Sequence, residues 1–141
     1  MLDAPEGWDD MFIDQLLRNG SAPLLEQVVK FSAARHQLIT ENIANVDTPE
    51  YRQKDLSFEA FQKALRRRVD ARRNSGQMDS EGMKYEELHP KADILFHDGN
   101  NRSMEQLASD LAKNALMHNV AIEMLRKQFQ QMEMALKERV A

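Results

Sequence analysis

Histidines, arginines and carboxylates are the side chains of this chain that could do chemistry, and their spacing argues against each kind in turn. His36 and His118 fall on helical apolar stripes, whereas His89 and His97 fall in polar stretches. A helical metal site places two histidines at i and i+4, and no pair here has that spacing. The chain has no cysteine to complete such a site, or to form a disulfide or a thiolate nucleophile. His36 is followed by Gln37 and not by an acidic residue, and the sequence holds no glycine-rich nucleotide loop, so a phosphoacceptor role has no support. The histidines therefore read as packing or interface residues. Five arginines, Arg66, Arg67, Arg68, Arg72 and Arg73, crowd into eight positions. No aromatic residue is interleaved for base stacking and Asp70 interrupts the run. A solvated face or a contact with an anionic partner fits better than a nucleic-acid groove. Asn101-Arg102-Ser103 has the form of a glycosylation sequon, but Ser103 is better explained as a helix N-cap. No carboxylate sits in an apolar context that would raise its pKa for acid–base work. No catalytic residue, metal or cofactor is expected, and the chain does not read as an enzyme.

The polar group at Asn42, Asn45, Asp47 and Thr48 needs a different explanation. Asparagine is a poor choice inside a helix, because its amide competes with backbone hydrogen bonds. Two asparagines near a helix end, followed by Asp47-Thr48-Pro49, can satisfy the orphan carbonyls there or bond a neighbouring chain. The first use is a terminator and turn. The second would fix the register between subunits, as seam asparagines do in coiled coils.

The elements that carry these residues are helical. Residues 24–46 form a first long helix with a heptad seam at Leu25, Val29, Ser32, His36, Ile39, Ile43 and Val46. A second stripe, Val28, Phe31 and Leu38, implies more than one neighbour. The helix ends where Pro49 approaches, since the residue before proline is pushed out of the α region. Residues 103–141 form a second long helix, opened by the capping box of Ser103 and Gln106. Its seam runs Met104, Leu107, Leu111, Ala115, His118, Ile122, Leu125, Phe129, Met132, Leu136. Between them, residues 47–102 read as loop-rich, with a short helix near 57–68 capped by Ser57 and carrying Phe58, Phe61 and Leu65. The arginine run and the polar stretch after it have too little apolar side chain to offset ordering entropy, so they are expected to be flexible. Ile94-Leu95-Phe96 is a brief apolar patch before a turn. Residues 1–23 are an extension in which Trp8, Met11, Phe12 and Leu16 fall at helical spacing. The fold class is all-α: two long terminal helices pairing as a coiled-coil-like bundle around an irregular middle.

Composition agrees. Of 141 residues, 42% are hydrophobic but only 6% aromatic, with nine methionines, which suits an aliphatic helix-on-helix core. A net charge of −4 gives no global basic field to attract nucleic acid or acidic lipid. The acidic start has no apolar h-region of a secretory signal, and no run reaches the length of a membrane span.

The stretch Asn42-Ile43-Ala44-Asn45-Val46-Asp47-Thr48-Pro49-Glu50-Tyr51 resembles the N-terminal motif of the flagellar axial proteins, the rod and hook family of the bacterial flagellum. Phe96-His97-Asp98-Gly99-Asn100-Asn101, followed by Leu111-Ala112-Lys113-Asn114-Ala115-Leu116-Met117-His118-Asn119, is similar to the family's proximal rod members. The likeness spans roughly residues 24–137. It implies a structural subunit whose terminal helices stack with those of neighbours into a hollow rod, joining the membrane ring to the distal rod and hook and transmitting torque. It also implies export by the flagellum's own type III apparatus without a cleavable signal. Implied partners are other rod proteins, the junction between membrane ring and export gate, and further copies of the chain, with no nucleic acid, cofactor or membrane span. Assembly contacts are then expected from Leu25, Val29, Ile39, Asn42, Ile43, Asn45, Asp47, Thr48, Pro49 and Tyr51. On the second helix they are expected from Leu107, Leu111, Asn114, Leu116, Asn119, Ile122, Leu125, Phe129, Met132 and Leu136. Glu50 stands where the family carries glycine, which predicts a turn without a positive φ. His118 stands where an aromatic residue is common, and residues 1–20 inherit nothing from the resemblance. Two competing readings are a sister rod protein and a coiled-coil adaptor or nucleic-acid-binding module built on the arginine run.

Overall fold

A computed structural model describes residues 20–76, 82–89 and 104–140. The expectations for residues 1–19, for the patch and turn at 94–101, for His97 and for the Ser103 cap lie outside those residues.

Three helices and one small ribbon make the fold: α1 (Ala22–Ala44), β1 (Asp55–Leu56), α2 (Phe58–Ser75), β2 (Glu87–Leu88) and α3 (Met104–Val140). The helical class and the packing of the two long helices on each other agree with the sequence reading. The ribbon was not foreseen. It is antiparallel, with Asp55 opposite Leu88 and Leu56 opposite Glu87, and Ser57 N donates to Glu86 O at 2.9 Å.

The pairing of α1 with α3 is antiparallel. Ser21 Oγ meets Gln128 Oε1 at 2.7 Å, while Ser32, farther along α1, meets Asn114 and His118, earlier on α3. Ile39 and Leu107 are fully buried. On α3 the buried positions Leu107, Asn114 and Ala121 are seven residues apart, with half-buried Leu111, His118, Leu125 and Met132 alongside. The seam therefore runs through Asn114 and Ala121, whereas the sequence reading passed it through Ala115 and Ile122. A search for apolar residues skips an asparagine that earns its burial by a hydrogen bond. Met104 is 48% exposed and Phe129 is 47% exposed, so neither is enclosed against α1.

The seam on α1 needs a similar correction. Ser32 and Ile39 are buried and Leu25, Val29, Ile43 and Val46 are half-buried, but His36 is exposed. Its neighbour Arg35 turns inward instead, and Asn42 is more buried than Ile43. A straight helix drifts by about 20° per heptad against a strict seven-residue repeat, so the buried line slides off the assumed positions.

The other face of α1 carries Phe31. Its ring stacks on Phe61 of α2 at 4.0 Å between centroids and meets Tyr85 edge-on at 5.5 Å. Leu56 joins Phe31 and Phe61 in the core, with Val28, Leu38 and Leu65 packed against it. Two stripes on α1 thus have two partners, as the sequence implied.

The second helix is longer than the short helix near 57–68. Ser57 Oγ accepts from Ala60 N at 3.1 Å, the expected cap, and the helix then continues through all five arginines to Ser75. It ends at Gly76, whose φ of 67° forms a left-handed C-cap. Arg72 and Arg73 in the last turn complement the negative end of the helix dipole. The arginine run is therefore helical, and propensity plus capping outweighed its low apolar content.

Candidate assembly surface

The polar motif at the end of α1 forms a closed hydrogen-bonded knot inside the chain. Asn42 is 1% exposed, and its amide treats Lys54 as a neighbouring strand would. Its Nδ2 donates to Lys54 O at 2.7 Å, while its Oδ1 accepts from Lys54 N at 3.1 Å and from Tyr51 Oη at 3.3 Å. Burial holds the Tyr51 phenol above its ordinary pKa. Asn45 finishes the helix: its backbone N–H and its Nδ2 both donate to Glu41 O, and its Oδ1 accepts from Thr48 Oγ1 at 3.3 Å. Asp47, Thr48 and Pro49 are left at the exposed turn. Glu50 adopts a φ of 60°, so the turn keeps the left-handed conformation without the glycine, contrary to expectation. Such a residue costs roughly 1 kcal/mol in backbone strain.

A second anchor ties the return of the chain to α1. Arg35 Nε and Nη2 donate to the two oxygens of Asp55 at 2.8 and 2.9 Å, and Asp55 Oδ1 also accepts from Leu56 N. The carboxylate raises the Arg35 pKa above its ordinary value, against an opposing effect of burial. Sequence reasoning missed this pair, because the partners are twenty residues apart with nothing local to link them.

Between α1 and α3 lies a cleft of about 350 Å³, lined by Ala33, His36, Asn114, Ala115, His118 and Asn119. Ser32 Oγ lies 2.9 Å from Val29 O and 2.8 Å from His118 Nδ1, within hydrogen-bond distance of both. Asn114 Nδ2 donates to Ser32 O at 2.8 Å, while its buried Oδ1 has no hydrogen-bond partner. Among the described residues no cluster of three His, Cys, Asp or Glu is arranged to hold a metal ion. Nor, among them, is any helix long and apolar enough to cross a membrane.

The outward side of α3 is the opposite of the knot. Leu116, Val120 and Met124, spaced four apart, are 65%, 45% and 55% exposed. That spacing puts them on one ridge, away from the positions buried against α1. Leu116 was expected from the sequence; Val120 and Met124 were not, though their i, i+4 repeat was the available signal. Of the other expected contact residues, Asn119 is exposed and Ile122, Leu125, Met132 and Leu136 are half-buried.

No protein-family model matches the chain. The chain is 24% identical over 127 residues to the flagellar basal body rod protein FlgB of Bacillus subtilis (strain 168), a match that covers 85% of this chain and 95% of the relative. The match covers most of both chains, so this chain is similar, at low identity, to a flagellar rod protein.

Proposed function

We propose that this chain is a structural subunit of the flagellar basal-body rod, at its proximal end, and that it works by helix packing without catalysis or a cofactor. The observation that carries this reading is the uncovered ridge of Leu116, Val120 and Met124 on a helix already paired along its other side. A 37-residue helix is roughly 55 Å long, more than a chain of this size needs to enclose a core. A subunit that keeps apolar surface on such a helix is suited to burying it against other subunits. The likeness to a rod protein is in keeping with this reading, in which the neighbours are other rod proteins and copies of this chain, near the membrane ring and export gate. The rod then transmits torque to the distal rod and hook, and the subunit travels by the flagellum's own export apparatus.

The test is Val120→Asp together with Met124→Asp. Both side chains are already exposed, so the variant should fold, with a melting temperature within a few degrees of the parent. Its incorporation into basal bodies and swimming should be lost, because assembly would bury two carboxylates without partners. Normal motility would count against the proposal.

A further inference from the structure

The charges of this chain are not spread evenly over it. Helix α2 carries six basic side chains, Lys63, Arg66, Arg67, Arg68, Arg72 and Arg73, against Glu59 and Asp70, a net +4 in a chain whose net charge is −4. Its place in the fold concentrates them at one end. Phe61 stacks on Phe31, while Arg72 Nη1, farther along α2, donates to Gly20 O at 2.8 Å, just before α1 begins. The two helices are therefore antiparallel, and the arginines gather beside the start of α1. Arg66, Arg67 and Arg73 are exposed there and form no ion pair among the described residues. Lys127, next to the Gln128 that meets Ser21, adds to the same end.

The far end of α1 has the opposite sign. Glu41, Asp47 and Glu50 are exposed around the turn that follows it, and none is ion-paired among the described residues. The register set by Ser21–Gln128 and Ser32–Asn114 brings Glu105, also exposed, to that end. These four acids outnumber Arg52 and the half-buried Lys54. The knot of Asn42 and Asn45 fixes the turn, so its carboxylates are held at a defined place. The 23 residues of α1 separate the two ends by roughly 35 Å. Exposed charges are screened over about 8 Å at physiological salt, so neither end satisfies the other within one molecule. A second copy brings them together.

We propose that the arginine face of α2 in one copy receives the Asp47–Glu50 turn of the next, a head-to-tail contact between unlike surfaces. The occupant is another copy because the chain supplies both halves of the charge match and holds them apart. Such a contact generates rings or filaments rather than a closed dimer. It uses none of the residues of the ridge at Leu116, Val120 and Met124. It also stands or falls apart from the rod reading, since it is read from self-association of the purified chain and not from motility.

The test uses two full-length charge-reversal variants, Arg66→Glu with Arg67→Glu, and Asp47→Lys with Glu50→Lys. All four sites are exposed, so both variants should fold, which circular dichroism checks. In sedimentation velocity at low salt the parent should self-associate, and about 0.5 M salt should weaken that association about tenfold. Either variant alone should be monomeric, because like charges then meet. An equimolar mixture of the two should associate again, since the glutamates of one meet the lysines of the other. A parent that is monomeric at low salt, or variants that associate as the parent does, would overturn the proposal. So would a mixture that stays monomeric, which would assign the arginines to another anion, such as the acidic residues between Asp3 and Asp14 of the same chain.

Discussion

The knot at the end of α1 and the outer ridge of α3 treat polarity in opposite ways. In the knot and the neighbouring Arg35–Asp55 anchor, polar side chains bond within the chain: Asn42 to Lys54 and Tyr51, Arg35 to Asp55. On the ridge, Leu116, Val120 and Met124 stand in solvent. The difference separates two jobs. The motif residues bond within the chain, and apolar residues whose type suits a core stand exposed.

The comparison can be broken most severely on the inner side. Phe31→Ala removes the ring that joins α1 to α2 and to Tyr85, and unfolding in urea should show a loss of about 3–4 kcal/mol. Asp55→Ala leaves the Arg35 guanidinium largely buried without its partner and should cost about 3 kcal/mol by the same measurement. Asn42→Ala strands the N–H and the C=O of Lys54 and should cost about 2 kcal/mol. Leu116→Ala on the ridge, by contrast, should change stability by less than about 0.5 kcal/mol, and a loss matching that at Asn42 would erase the distinction.

Smaller effects sharpen the picture. Glu50→Gly relieves a positive φ but loosens the unfolded chain, so a net gain of about 0.5 kcal/mol is expected. A loss there would mean that the Glu50 side chain contributes a contact of its own. Burial raises the pKa of Tyr51 and Tyr85 above the ordinary 10.0. The folded state thus prefers the neutral phenols: stability is full below the ordinary value and falls as pH rises through the raised one. Melting temperatures between about pH 8 and about pH 11 should show that decline, and Tyr85→Phe should flatten it.

How much of this was legible follows from where each signal lies. The long α3 showed itself through its apolar periodicity, which a helix must have to pack. Its true seam did not, because Asn114 counts as polar until Ser32 O is seen to accept its amide. The use of Asn42 was hidden for a related reason: its partners, Tyr51 and Lys54, come from beyond the Pro49 turn. The full length of α2 was readable in hindsight from Gly76, the residue that permits the left-handed cap. The arginines obscured it, since a charged run suggests solvation before it suggests a helix.

The rod assignment itself is tested most directly by mass spectrometry of purified hook–basal bodies from the source cell. The account predicts peptides of this chain at levels comparable to other rod proteins. Their absence from basal bodies, with the chain abundant in the cytoplasm, would contradict it.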